Sequence, residues 1–127
     1  MKIFCLLILL FTIFLSPSSS YASQADLKPC IKKAHCVREQ WDVRNIENPF
    51  DEIIKIIENI PRTNIVELNG DYLHAEATSK WIKYVDDLEI AYFSGLKILQ
   101  IRSESRVGES DLGVNQKRVD LIKSKMY

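Results

Sequence analysis

The chain has 127 residues, of which 17 are Lys or Arg and 17 are Asp or Glu, so its formal net charge is zero. This length is typical of a single domain that buries one core. The balanced charge gives no electrostatic reason to expect nucleic acid or an anionic membrane surface as a partner, and we expect no nucleic-acid binding.

Residues 1–22 have the pattern of a secretory signal peptide. Lys2 supplies a positive start, residues 3–15 are apolar apart from Thr12, and small residues precede a cleavage point after Ala22. The apolar run is shorter than the roughly 20 residues that a membrane-spanning helix needs. Cleavage would leave 105 of the 127 residues, exported to the periplasm or the extracellular space without a transmembrane segment. The alternative is an uncleaved N-terminal anchor.

Two cysteines, Cys30 and Cys36, remain after that cleavage. They lie in residues 23–47, a polar stretch that we expect to form an irregular N-terminal arm. In an oxidising compartment the two cysteines can close a small loop as a disulfide. The alternative is a metal site that includes His35, but adjacent His and Cys ligands match no common zinc spacing. We therefore expect a Cys30–Cys36 disulfide, no metal and no cofactor.

Residues 48–127 are the predicted folded domain. Asn48 and Pro49 begin a helix whose apolar residues recur at spacings of three and four until Pro61 ends it. A period of two then predicts four strands, at residues 63–68, 72–80, 85–93 and 96–106. A last helix follows Gly113. The predicted fold class is α+β, a four-stranded antiparallel meander with an N-terminal and a C-terminal helix packed on one face.

The turns of this meander predict which side chains meet. A turn at Ser94-Gly95 sets Leu88 opposite Ile101, and the preceding link sets Ala77 opposite Leu88. Two polar rows then cross the sheet. The row on the open face comprises Thr78, Asp87 and Arg102. The row on the helix-covered face comprises Ser79, Asp86 and Ser103, with Ser105 one step along.

The two rows differ in what they could do. The open-face row has a simple interpretation, a cross-strand ion pair on a wet surface. The covered-face row needs donors for its buried carboxylate, so it would either anchor residues 106–113, bind a polar ligand or position a proton acceptor. A serine nucleophile would need a base within hydrogen-bond reach, and His74 points to the open face, away from the serines.

Several segments resemble the domain-of-unknown-function 1499 family. The resemblance is most specific in Arg-Ser-Glu-Ser-Arg-Val-Gly at residues 102–108 and in Asp-Leu-Gly-Val-Asn at residues 111–115, followed by Arg118. Residues 70–79 and 84–89 are also similar to the family. The resemblance implies an exported bacterial protein of a family without an established activity. Cys30 and Cys36 keep the spacing of the family's Cys-Pro-x-Ser-Pro-Asn-Cys element, although the residues between them differ.

Together these observations predict an exported soluble envelope protein that binds a small molecule or an envelope protein through the polar end of its sheet. The candidate ligand-binding residues are Ser79, Asp86, Asp87, Arg102, Ser103, Ser105 and Arg106. Two alternatives stay open. One is a hydrolase-type enzyme that uses Asp86, Ser103 and Arg106, and the other is a structural or assembly factor of the envelope.

Overall fold

A computed structural model describes residues 25–127 of the protein, so the signal peptide predicted for residues 1–22 lies outside the described residues. Within residues 25–127 no helix has the length and apolar character that crossing a bilayer requires. The elements in chain order are β1 Cys36–Asp42, α1 Pro49–Glu58, β2 Thr63–Asn69, β3 Tyr72–Thr78, β4 Val85–Phe93, β5 Ile98–Ser105 and α2 Val114–Met126.

The strands form one antiparallel sheet in the order β1-β5-β4-β3-β2. The predicted α+β class is confirmed, but the count of four strands is wrong. Strand β1 adds a fifth by pairing with β5, within the arm predicted to be irregular, and the first helix therefore follows a strand. Val37 and Trp41 of β1 contact the core, but Glu39 stands between them on the same face. That charged residue hides the period of two.

The disulfide between Cys30 and Cys36 is confirmed, with Cα atoms 5.6 Å apart. Cys36 is the first residue of β1, so the bridge ties the preceding segment to the sheet. Leu27 in that segment is buried on the open face. Its N–H donates to Gln100 Oε1 (2.9 Å), and its carbonyl oxygen accepts from Arg38 Nε (3.2 Å). Residues 25–30 therefore cover part of the sheet that the helices leave open.

The strand register differs from the prediction by two residues at both connections. Leu88 pairs with Ser103 on β5 and with Ala75 on β3. The β4–β5 connection is a four-residue turn, residues 94–97, in which Lys97 has a φ of 55°, whereas a two-residue turn was expected. A shift of two residues changes the neighbours of a side chain but keeps its face. The two faces were therefore predicted correctly and the rows were not.

Both helices pack on the same face of the sheet. Ile53 and Ile57 of α1 and Val119 and Ile122 of α2 are fully buried in one core cluster with inward residues of β3, β4 and β5. Fully burying an Ile side chain contributes roughly 1.5–3 kcal/mol. Burial of apolar side chains therefore stabilises α1 more than N-capping does. Asn48, at the N-cap, has a φ of 50° and makes no side-chain capping hydrogen bond.

Candidate functional site

The seven candidate residues lie in three different places. Asp86, Ser103 and Ser105 are buried on the helix-covered face of the sheet. Asp87, Arg102 and Arg106 belong to the open face, because successive strand residues point to opposite sides. Ser79 lies beyond the end of β3 and is exposed. The candidate residues therefore do not form one cluster: the two predicted faces are kept, and Ser79 belongs to neither group.

On the covered face, Asp86 is held by an arginine of α2. Arg118 Nη2 donates to Asp86 Oδ2 (2.7 Å), and Arg118 Nη1 donates to Ser103 Oγ (3.0 Å) and to Asn115 Oδ1 (2.8 Å). Ser103 Oγ in turn donates to Asn115 Oδ1 (2.7 Å). One guanidinium thus joins strands β4 and β5 to the first turns of α2. We call Asp86, Ser103, Ser105, Asn115 and Arg118 the covered-face network.

Asn115 connects this network to the loop before α2. Its side-chain amide donates to Ser105 Oγ (2.9 Å), to Asp111 Oδ2 (2.7 Å) and to the carbonyl oxygen of His35 (3.2 Å). Burial by itself would raise the pKa of Asp111, but hydrogen bonds from the Asn115 side chain and the Gly113 and Asn115 amides outweigh burial and lower it. Asp111 therefore caps α2, a role that the sequence does not reveal without this geometry.

Ser79 takes no part in the covered-face network. Its Oγ accepts a hydrogen bond from the Tyr84 amide (2.9 Å), and its own amide donates to the Tyr84 carbonyl oxygen (2.8 Å). Ala77, two residues earlier, is the actual partner of Asp86. The predicted place of Ser79 opposite Asp86 is therefore wrong, and its role is to close the base of the β3–β4 loop.

The open face carries a second polar cluster, centred on Arg106 and Asp87. Arg106 Nε and Nη2 donate to both oxygens of Asp87 (2.9 and 2.8 Å), and Nη2 also donates to Glu76 Oε1 (2.8 Å). His74 Nε2 lies 2.7 Å from Asp87 Oδ1. The predicted row of Thr78, Asp87 and Arg102 is wrong, since Glu76 and Glu104 flank Asp87.

Arg102 forms its own ion pairs on this face, with Glu89 (3.1 Å) and Glu104 (2.6 Å). Hydrogen bonds from Arg106, opposed by partial burial and aided by His74, lower the pKa of Asp87. Asp87 and Glu76 raise the pKa of Arg106. Each of these charges thus has an oppositely charged neighbour, although the buried Nε of Arg102 has no hydrogen-bond partner within residues 25–127. We call Glu76, Asp87, Glu89, Arg102, Glu104 and Arg106 the open-face cluster.

A pocket of about 370 Å³ opens beside the covered-face network, where α2 crosses the end of the sheet. Asp86 and Arg118 form part of its wall. Its other charged residues are all basic, namely Arg62, Lys80 and Lys117. Its apolar lining comes from Ile60, Pro61, Ala77, Val114 and Leu121. Because Asp86 is already paired with Arg118, the pocket presents an excess of positive charge next to apolar surface.

A larger pocket, about 500 Å³, lies at the opposite end of the sheet around the start of α1. Its basic residues Arg44 and Lys97 are outnumbered by the acidic residues Glu47, Asp51 and Asp71. No charged pair comparable to Asp86 and Arg118 has a hydrogen bond within its described lining. This pocket is larger than the one beside Asp86, but its lining carries charges of both signs and so does not indicate one class of ligand.

The catalytic potential of these groups is limited. The Oγ atom of Ser103 is fully buried, donates to Asn115 and accepts from Arg118, so it is not poised for attack on a substrate. Across residues 25–127 no three His, Cys, Asp or Glu side chains are arranged to hold a metal ion. Ser103 is therefore held as part of a buried network that anchors α2 to the sheet.

Two central residues of the covered-face network, Asn115 and Arg118, were missing from the predicted site. Both lie on α2, and the sequence reasoning paired strands only with strands. The available signal was the stretch at residues 111–115 with Arg118, which carries the family resemblance.

A family model described as "Protein of unknown function (DUF1499)" matches residues 21–126. The match covers all of β1 to α2, including both polar clusters. No curated protein matches the chain.

Proposed function

The chain belongs to the family of proteins of unknown function DUF1499, and from the geometry of its covered face we propose that it is a binding module of the cell envelope. Its ligand is an anionic small molecule with an apolar portion, and the site is the pocket beside Asp86 and Arg118. We further propose that it works outside the cytoplasm, in the periplasm or the extracellular space. The Cys30–Cys36 disulfide is consistent with export.

One observation carries this proposal, the charge of the pocket lining. Four basic side chains face one carboxylate, and that carboxylate is neutralised by the Arg118 guanidinium. A concave site lined by one sign of charge concentrates ligands of the opposite sign. A carboxylate or phosphate can also accept charge-assisted hydrogen bonds, which are roughly twice as strong as neutral ones.

Arg118 is prepared for such a ligand. A guanidinium has five N–H donors. Within residues 25–127, Arg118 gives one N–H to Asp86 and directs Nη1 at Ser103 and Asn115, so donor capacity remains on the Nε and Nη2 side. The protein contacts fix the orientation of the group before a ligand arrives, which reduces the entropy lost on binding.

The apolar part of the lining supports a ligand that has a hydrocarbon portion. Val114 and Leu121 on α2 are exposed at the rim of the pocket, although both are large and apolar. Covering such surface contributes roughly 25 cal/mol per Å². The pocket volume, about 370 Å³, also falls within the range of roughly 300–1,000 Å³ that is usual for small-molecule sites.

The hydrolase alternative receives no support from this geometry. Arg106 is bound to Asp87 and Glu76 on the other face, so it does not act with Asp86 and Ser103. The structural alternative makes the covered-face network an anchor alone. It differs from our proposal in expecting no selective ligand at the pocket.

The test uses three probes of equal chain length and different charge: decanoate, decanol and decylamine. Isothermal titration calorimetry should show that decanoate binds more tightly than decanol, and that decylamine binds least. Lys117→Glu should weaken decanoate binding about tenfold, which corresponds to about 1.4 kcal/mol. Lys125→Glu is the matched control, because it makes the same charge change on the same helix outside the pocket.

The control also separates binding from stability. A carboxylate stabilises the first turn of a helix and destabilises the last one. Lys117→Glu lies near the start of α2 and Lys125→Glu near its end. A loss of binding confined to Lys117→Glu therefore cannot come from unfolding. Equal effects of the two variants on decanoate affinity, or equal affinity for all three probes, would contradict the proposal.

A further inference from the structure

The β3–β4 loop, residues 79–84, exposes three large apolar side chains in a row of six residues. Trp81 is 83% exposed, Ile82 67% and Tyr84 53%. The other tryptophan of the chain, Trp41, is buried in the core. Single exposed apolar residues are ordinary, but a contiguous apolar patch on a surface marks a contact site.

The shape of this loop holds the apolar residues outward. Reciprocal hydrogen bonds between Ser79 and Tyr84 close its base, and Lys83 adopts a left-handed conformation with a φ of 63°. Lys80 Nζ lies 4.9 Å from the Trp81 ring centroid, so the cation and the indole are presented together. The tip of the loop, Lys80-Trp81-Ile82-Lys83, thus has one lysine before and one lysine after its two apolar residues.

A second loop begins at the same end of the sheet. The amide of Arg106 bonds to the Val85 carbonyl oxygen at the start of β4, and residues 106–113 continue from there to α2. Val107 and Leu112 in that loop are both exposed. Its two acidic residues are Glu109 and Asp111, and Asp111 is engaged with the first amides of α2. We call Trp81, Ile82 and Tyr84, with Lys80 and Lys83, the distal surface.

We propose that the distal surface docks on an anionic lipid bilayer. Trp81 and Ile82 enter the interface between headgroups and acyl chains, and Lys80 and Lys83 lie among the lipid phosphates. The balanced charge of the whole chain gives no such expectation, but two lysines, Lys80 and Lys83, lie in the exposed loop itself. The proposal rests on the exposed β3–β4 loop, and it shares Lys80 with the lining of the ligand pocket.

The composition of the surface favours a membrane over a protein partner. Trp and Tyr are enriched where proteins meet lipid headgroups, since their rings are apolar and their N–H or O–H groups are polar. Lysines beside them gain from the negative potential of anionic lipids. In protein–protein interfaces, by contrast, lysine is depleted. Lysines that flank Trp81 and Ile82 on both sides therefore fit lipid better.

The test follows Trp81 fluorescence in the full chain with vesicles whose acyl chains carry bromine, which quenches tryptophan on contact. Vesicles contain phosphatidylcholine, with or without phosphatidylglycerol. We expect strong quenching with phosphatidylglycerol and weak quenching without it. The Lys80→Ser/Lys83→Ser variant should need about thirtyfold more lipid for the same quenching.

Two controls make the readout local. Trp81→Phe leaves only the buried Trp41 and should show no quenching. Adding Leu96→Trp to that variant moves the reporter to the β4–β5 turn at the opposite end of the sheet, where Leu96 is 68% exposed. That reporter should stay unquenched even if another part of the chain holds the protein on the vesicle. Equal quenching at the two ends, or none at Trp81, overturns the proposal, and none at Trp81 leaves a protein as the remaining partner for the loop.

Discussion

Two neighbouring aspartates on β4 form similar ion pairs with arginine on the two faces of one sheet, but the two pairs differ in how deeply they are buried. Asp86 and Asp87 each pair with an arginine at 2.7 to 2.8 Å. The Asp86–Arg118 side chains are 10% and 13% exposed, whereas those of Asp87 and Arg106 are 27% and 44% exposed. Breaking a buried pair leaves an uncompensated charge away from water. Water replaces much of a lost partner at the exposed pair.

The largest expected effect comes from breaking the buried pair on one side. Arg118→Met leaves Asp86 without its donor and should lower the free energy of unfolding by about 3 kcal/mol or more in urea denaturation. Arg106→Met is the matched change on the open face and should have a much smaller effect. Similar losses for the two variants would mean that burial does not distinguish the pairs.

Asn115→Ala should produce the next largest loss. Asn115 is fully buried, and its side chain serves Ser103, Ser105, Asp111 and Arg118. Removing it leaves several buried polar groups unpaired, at a cost of about 2 kcal/mol. Asn45→Ala, at an exposed turn position, is the control for the loss of an amide group. A loss no larger than that of the control would show that water enters and replaces Asn115.

Acid should reveal the contribution of Asp87. Because Arg106 lowers the pKa of Asp87 in the folded protein, its stabilising effect is complete above the unfolded pKa of about 3.9 and disappears as pH falls through the folded pKa. The urea midpoint of Asp87→Asn should therefore fall less steeply than that of the parent between about pH 5 and pH 2. Parallel curves would mean that Asp87 gains nothing from its pairing with Arg106.

The smallest effect expected is that of Arg106→Ala in added salt. Partly exposed ion pairs are screened by salt, and buried ones are screened much less. The stability difference between Arg106→Ala and the parent should shrink as sodium chloride is added, while that of Arg118→Met should persist. An Arg106→Ala difference that is unaffected by salt would show that packing, and not charge, gives Arg106 its effect.

Local sequence signals predicted the elements and the faces of this fold well. The helix beginning at Pro49, the strands β2 to β5 and the Cys30–Cys36 bridge are all present. The assignment of Asp86 to the covered face and of Asp87 to the open face is also correct, because it needs only the period of two. These features depend on residues close together in the chain.

The long-range partners were predicted poorly. The β4–β5 register was wrong by two residues because residues 94–97 form a longer turn than expected. In that turn Lys97 adopts a left-handed conformation, which a sequence usually signals with glycine. Strand β1 was missed because Glu39 breaks its apolar alternation. Arg118 and Asn115 contact the strand residues Asp86 and Ser103 from helix α2. The alternation of residues along a strand does not indicate which helix side chain will contact them.

The most direct test of the account is to find where an anionic probe binds. Titrating decanoate into ¹⁵N-labelled protein should shift the amide signals of Ser79, Lys117, Arg118 and Leu121, which surround the pocket beside Asp86. Shifts that instead gather at Asp51, Asp71 and Tyr92, around the larger pocket at the other end of the sheet, would contradict it, as would spectra that decanoate leaves unchanged.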